Sequence, residues 1–401
     1  MADGFIVRKG GVAVDLTAAP SLTLVSKTDS QIVFTITNND TETVDIFWEV
    51  DDTTPDANTL SLAGGATSSN QTASGLAQNT EFIIYAFANA AGKAGSQTVT
   101  LTVTTDSIIY TAATGGTTNE YNASGKRFRS HTFTSSGTFT VTTVGNDDRN
   151  QVDYLIIAGG GSGGFYVGGG GGAGGYRTTL GTSGGNTTAR DKVTVTAQAY
   201  SISVGAGGIG SSDRDTDGGS GSNSSALGIT CSGGGRGGQR NESTFNGSGA
   251  NGGSGGGAGG TDSNPRTPGN GTTNEGFGGG DVGGGGGGLA AGGGGGASSA
   301  GANGIGFTAA GNGGNGLANT LRDGTSETRA GGGGGGGNIS PTGGSGGSGG
   351  GGNGGQSNTT NPTAGNANTG GGGGGGGNDT TATTSGGSGI VIIRYEIAPS
   401  V

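Results

Sequence analysis

Of the 401 residues, 104 are glycine, 28% are hydrophobic and only 11% are charged, which is far from the mixture of an ordinary globular chain. The formal charge of -10 and a pI near 4.5 argue against binding a nucleic-acid backbone, which rewards clustered Lys and Arg. One histidine, His131, and one cysteine, Cys231, exclude a His-rich metal site, a zinc ribbon and an intrachain disulfide, so the expectation is a protein with no enzyme activity and no cofactor.

The start, "MADGFIVRKG", lacks a basic segment followed by an apolar core, and no stretch approaches the ~18 apolar residues of a membrane helix. A protein made in a cytoplasm, without membrane insertion, is expected. Residues 1–19, with "GFIVRKGGVAV", read as a docking segment made of a short strand pair.

Residues 20–105 alternate with the two-residue period of half-buried strands, as in "SQIVFTIT" and "SQTVTLTVTT". Five to seven strands in under ninety residues predict a two-sheet sandwich. Its core would take Ile32, Phe34 and Ile36 from one strand and Ile46, Trp48 and Val50 from another. "GLAQNTEFIIYAFANAAGKAGS" resembles the later part of a fibronectin type III module through Leu76, Thr80, Phe82, Ala88, Asn89 and Gly92. Phe82 stands where that family has its corner tyrosine. The resemblance implies the sandwich fold and not its function; the unit is read as a spacer in preference to a ligand-binding module, and Gly64 reads as a surface-loop residue tolerant of substitution.

Residues 106–150 read as a β connector, and residues 151–401 as a different kind of protein: 13 of the 104 glycines precede residue 158, and the other 91 follow it. Two apolar runs, 152–157 and 390–397, bracket the glycine, and pairing them would close the region. "KVTVTAQAYSISVGAGG" predicts a hairpin that sets Val193 and Val195 against Tyr200, Ile202 and Val204. Between these lie glycine runs at 168–172, 283–288, 292–296, 331–337 and 370–377.

A left-handed helix with three residues per turn has no internal hydrogen bonds, so its amides and carbonyls must find neighbours. Glycine lets such backbones approach closely, and eight residues at about 3.1 Å each make a rod of about 25 Å. Aromatic residues that interrupt the runs, among them Phe165, Tyr166, Tyr176, Phe245, Phe277 and Phe307, favour order over a glycine linker. The fold class expected is all-β: an N-terminal sandwich followed by a β-framed glycine-rich domain with polyproline-II (polyglycine) helices. Collagen is excluded because glycine does not keep every third position and there are seven prolines.

The ordered phrases "HTFTSSGTFTV", "VDYLIIAGGGSGG", "GGGGAGGY", "YSISVGAGGIG", "SSALGITCSGGGRGG" and "GGSGIVIIRY" resemble the glycine-rich domain of bacteriophage tail-fibre and adhesin proteins, over roughly residues 128–397. That resemblance implies a sandwich of polyproline-II-like helices whose end loops meet the host receptor.

Other motifs are products of composition. "GAGGIG", 205–210, matches a dinucleotide fingerprint, but "SSDRDTDGGSGSN" after it cannot start the helix that would hold a pyrophosphate. "DRDTDG", 213–218, opens like a calcium loop, yet its twelfth position is Ser224 in place of a bidentate Glu. Cys231 reads as a buried thiol, and the N-x-Ser/Thr triplets at Asn70 and Asn338 follow from composition.

The function expected is a structural virion protein, a tail-fibre or adhesin subunit that attaches to a host-surface protein or glycan and assembles with other fibre subunits as a homo-oligomer. The alternatives are a self-assembling extracellular filament or bacterial surface adhesin, and a glycan depolymerase that lacks an identifiable acid pair. Receptor contacts are expected in loops 213–217, 236–245, 264–277 and 321–329, with Arg240, Phe245, Arg266 and Phe277 as first anchors because Arg and aromatic side chains dominate interface energetics.

Overall fold

The computed structural model describes residues 7–9, 12–213, 216–240, 247–260, 266–282, 290–338, 342–378 and 384–400. The chain divides into two units, Met1–Ile109 and Tyr110–Val401. Among the described residues there are strands and two short 3-10 turns but no α-helix, so the fold is all-β.

In the first unit, β1 (Val7–Lys9) and β2 (Val12–Val14) form an antiparallel pair. Seven strands follow: β3 (Ser21–Lys27), β4 (Gln31–Thr37), β5 (Val44–Val50), β6 (Asn58–Leu62), β7 (Gln71–Ser74), β8 (Glu81–Asn89) and β9 (Val99–Thr104). They make a three-stranded sheet, β3-β4-β7, and a four-stranded sheet, β6-β5-β8-β9. Alternation in β4 buries Ile32, Phe34 and Ile36, and β5 contributes Val44, Ile46 and Trp48 to the same core. Val50, expected inside, is only partly buried at its edge. Trp48 meets Phe34 edge to face at 5.0 Å, a favoured aromatic geometry. Gly64 is no tolerant loop position: a Cβ there would lie 2.2 Å from the carbonyl oxygen of Thr41.

The second unit opens with β10 (Ala112–Thr114), β11 (Thr117–Ala123), β12 (Lys126–Phe133), β13 (Gly137–Thr143) and β14 (Gln151–Ile157). The later strands are β15 (Tyr176–Thr178), β16 (Val193–Thr194), β17 (Ala199–Ile202), β18 (Ser224–Ala226), β19 (Ile229–Cys231), β20 (Leu317–Asn319), β21 (Glu327–Arg329) and β22 (Ile390–Ile397). The main sheet runs β11-β12-β22-β14-β15, with β16 also on β14. The two apolar runs that bracket the glycine do pair, antiparallel, with Ile157 opposite Ile390 and Asp153 opposite Arg394.

Both faces of this pair are covered, which is why its sequence is continuously apolar and not alternating. Val152, Tyr154, Ile156, Val391 and Ile393 enter one core, and Leu155, Ile157, Ile390 and Ile392 another with Tyr176 and Leu321. The hairpin expected over 193–204 does not form. β16 pairs with β14, while β17 pairs with β13 through Phe139 opposite Tyr200, so Val195 and Ile202 reach one core from two sheets.

Between these strands the glycine runs are rods bonded to one another with a period of three. In 168–175, the amides of Gly168, Gly171 and Gly174 donate to Gly376, Gly373 and Gly370; those of Gly169, Gly172 and Gly175 to Gly238, Gly235 and Ser232; those of Gly170 and Ala173 to Gly292 and Gly295. The same rod accepts from Gly161 and Gly164, from Ser254 and Gly257, and from Gly333 and Gly336. Six rods therefore surround it.

Those six close a ring in chain order. Gly234 donates to Gly159, Gly235 to Ser254, Gly292 to Ala258, Ala291 to Gly336, Gly372 to Gly331, and Gly373 to Gly161. Side chains are excluded by contact: a Cβ on Gly170 would lie 2.0 Å from the Gly333 oxygen, and one on Gly171 2.2 Å from the Gly161 oxygen. Glycine is used here for close approach, and the bonds satisfy backbone groups that would otherwise be buried unpaired. The run at 283–288 lies outside the described residues.

Candidate functional site

The lattice has two unlike ends. Rod 159–164 leaves β14 at the frame, the chain turns at 165–167, and rod 168–175 returns to β15. Hydrogen-bond register to these two rods assigns the other turns. The hairpin β18–β19, residues 297–300 and the β20–β21 connection lie at the frame end. Residues 305–309 and 356–360 lie at the opposite, free end. The rods flanking 241–246, 261–265, 283–289, 339–341 and 379–383 also end there.

Of the expected anchors, Arg240 and Arg266 belong to the free end, but both are buried, at 9% and 8% exposure. The Arg240 guanidinium lies 5.3 Å from the centre of the Tyr166 ring and its Nη1 donates to Asn378 Oδ1 at 3.3 Å. Arg266 Nη1 donates to the carbonyls of Gln239 at 3.0 Å and Gly260 at 2.5 Å. These long side chains tie neighbouring rod ends together. Tyr166 and Val167 take φ of 53° and 48°, a conformation costly for a β-branched residue, so the turn they make is held by its surroundings.

Phe277 sits in the frame half, half-buried, where its carbonyl accepts from Gly255 at 2.9 Å. Loop 321–329 is at the frame end as well: Leu321 and Arg329 are buried, and the Tyr121 hydroxyl donates to the Leu321 carbonyl at 2.8 Å. Phe245 lies outside the described residues. Asp213 Oδ1 accepts from the Thr216 amide at 2.7 Å, and Asp217 pairs with Arg236 at 2.6 Å.

Two exposed apolar side chains at the free end were not among the expected anchors. In the turn 305–309, Ile305 is 64% and Phe307 56% exposed. The signal for them was present in "GIGFTAAG", where a large apolar pair interrupts glycine. On the side of the lattice Ile209 is 78% exposed.

The chain's two unusual side chains are interior. Cys231 donates to the Ile156 carbonyl at 3.3 Å and burial pushes its thiol pKa far up, so it is a packed, unreactive thiol. His131 is fully buried between Tyr395 and Phe139. Among the described residues no group of three or more His, Cys, Asp or Glu side chains comes together to hold a metal, and no helix is long and apolar enough to cross a membrane.

No curated protein matches the chain. The model of the glycine-rich domain matches residues 132–396, a span that starts on β12 and ends on β22, two strands paired through Thr132 and Ile392. With the match covering well over half of the chain, the protein belongs to the glycine-rich domain family.

Proposed function

We propose that the chain is a non-enzymatic structural protein of a phage virion, a tail-fibre or adhesin subunit that attaches to the host surface. The observation that carries this reading is the division of labour along the lattice. A β-frame holds one end, and the chain returns repeatedly through turns at the other. Rods of bare backbone present repeating amides and cannot distinguish receptors, so specificity falls to the free-end turns on a rigid scaffold. Ile305 and Phe307 are its exposed anchors, and Arg240 and Arg266 tie neighbouring rod ends at the same end of the lattice.

The rods are read as left-handed threefold helices of the polyproline-II kind. Support comes from the three-residue period of their bonds and from φ. Within 331–337 and 371–377 no glycine takes a φ in the left-handed region, and Gly370 turns the corner at 69°. Backbone angles near φ of about -75° and ψ of about +145° in a crystal structure are the expected outcome. The first unit, three strands against four, is read as a fibronectin type III-like spacer.

Electron microscopy of the native source with a labelled antibody tests the function. Label at phage tail fibres supports the reading, and label along tailless filaments or on a bacterial surface replaces it with the filament or adhesin alternative.

A further inference from the structure

We propose that Asn270 is a site of covalent self-modification, where the Gly271 amide closes on the Asn270 side chain and converts it to aspartate and β-linked isoaspartate. Asn-Gly is the dipeptide most open to this chemistry, because a glycine without Cβ lets its backbone nitrogen reach the preceding carboxamide. The pair occurs seven times in the sequence, beginning at Asn246, Asn251, Asn270, Asn303, Asn312, Asn315 and Asn353. All but Asn246 lie among the described residues.

Five of these six are locked twice by the lattice. The attacking nitrogen is engaged in each: the amides of Gly252, Gly304, Gly313, Gly316 and Gly354 donate to the carbonyls of Asn270, Asp281, Ser345, Ser348 and Gly344, at 3.2, 2.8, 2.9, 2.8 and 2.8 Å. The carboxamide under attack is held as well. Oδ1 of Asn251, Asn303, Asn312, Asn315 and Asn353 accepts from the amides of Asn270, Asp281, Ser345, Ser348 and Gly346, at 2.7, 2.8, 2.8, 3.1 and 2.9 Å. Ring closure at any of them requires both bonds to open first.

Asn270 has neither lock. Among the described residues the Gly271 amide donates to nothing and the Asn270 side chain has no hydrogen-bond partner. The cause is local register: Gly271 makes an isolated parallel bridge with Gly252 in which Thr272, not Gly271, donates back to the Gly252 carbonyl, at 2.8 Å. Asn270 is exposed, so solvent reaches the carboxamide.

The reaction needs only water. The Gly271 nitrogen forms a bond to Cγ of Asn270, the Cγ–Nδ2 bond breaks, and the nitrogen's proton leaves with the side-chain amide as ammonia, giving a succinimide. Water then opens the ring at Cγ to give aspartate, or at the main-chain carbonyl to give isoaspartate. The second product places one more backbone carbon between residues 270 and 271, beside the carbonyl to which Gly252 donates.

Peptide mapping by tandem mass spectrometry, on the folded full chain held at mildly alkaline pH, tests the assignment site by site. Conversion at Asn270 should be at least about tenfold faster than at each of the five locked asparagines, as two hydrogen bonds of ordinary strength imply. In guanidinium-unfolded chain the five should approach the Asn270 rate. Asn270→Gln should remove the product at that position. Equal rates at the six sites in folded chain overturn the proposal, as does an Asn270 advantage that persists after unfolding, which would place its cause in the sequence and not in the lattice.

Discussion

His131 on β12 and Tyr395 on β22 meet inside the frame, imidazole Nε2 3.0 Å from the phenolic oxygen. Nδ1 lies 2.6 Å from the Gly115 carbonyl and so carries the proton, which leaves Nε2 to accept from Tyr395. The Tyr395 oxygen accepts in turn from the Ala113 amide at 3.0 Å. Burial, the largest influence, pushes the His131 pKa below its ordinary 6.5, with nearby Arg129 acting the same way against the Gly115 bond.

A base with a depressed folded pKa binds fewer protons folded than unfolded, so its contribution is fully present above about 6.5 and is lost as pH falls below it. The second unit should therefore melt at lower temperature at pH 5 than at pH 7. His131→Gln should flatten that difference while costing about 1–3 kcal/mol from imperfectly satisfied partners. Because the chain has one histidine, its NMR titration reads the pKa directly, and a midpoint at or above 6.5 contradicts the argument.

Gly171→Val should destabilise the second unit by at least about 3 kcal/mol, in the class of severe core lesions, since the added Cβ meets the Gly161 oxygen at 2.2 Å. Ser345→Val, on the exposed side of an outer rod, should stay within about 0.5 kcal/mol. Calorimetry of the two variants decides it, and equal melting rejects the packing account.

In the first unit, hydrogen bonds from Lys93 and from the Ala18 amide hold the Asp40 carboxyl at about 2. A depressed carboxylate contributes stability above its unfolded value near 3.8 and loses it as pH falls through 2. Asp40→Asn should flatten the acid limb of the first unit's denaturation curve between pH 4 and pH 2, read by Trp48 fluorescence.

Replacing Ile305 and Phe307 together by Ser should leave melting unchanged and reduce attachment to host cells at least tenfold, as loss of central anchors does. Arg322→Ala at the frame end should leave attachment intact. Cell-binding assays with both proteins check the assignment of recognition to the free end.

Much of the frame was legible because its signals are side-chain periods. Ile32, Phe34 and Ile36 alternate as a half-buried strand must, and the apolar runs ending at Ile157 and Ile397 could only pair. The order of rods was not legible, because rod pairing is made by backbone groups and one glycine run donates like another. Burial of Arg240 and Arg266 was hidden for a related reason. Arginine in a glycine-rich loop reads as solvated, yet a lattice with so few side chains leaves gaps that long ones fill. The outer rods were readable in principle: in "GNGGNG", 311–316, the asparagines fall every third residue, and both face outward.

The ring closes in chain order, and that fixes a timetable for synthesis. Rod 168–175 emerges from the ribosome early, but the partners of Gly168, Gly171 and Gly174 are residues 376, 373 and 370, about 200 residues later. Such long sequence separations slow folding. A nascent chain stopped anywhere before the final rod holds the innermost segment with one flank bare, so the domain has no smaller version of itself to fall back on.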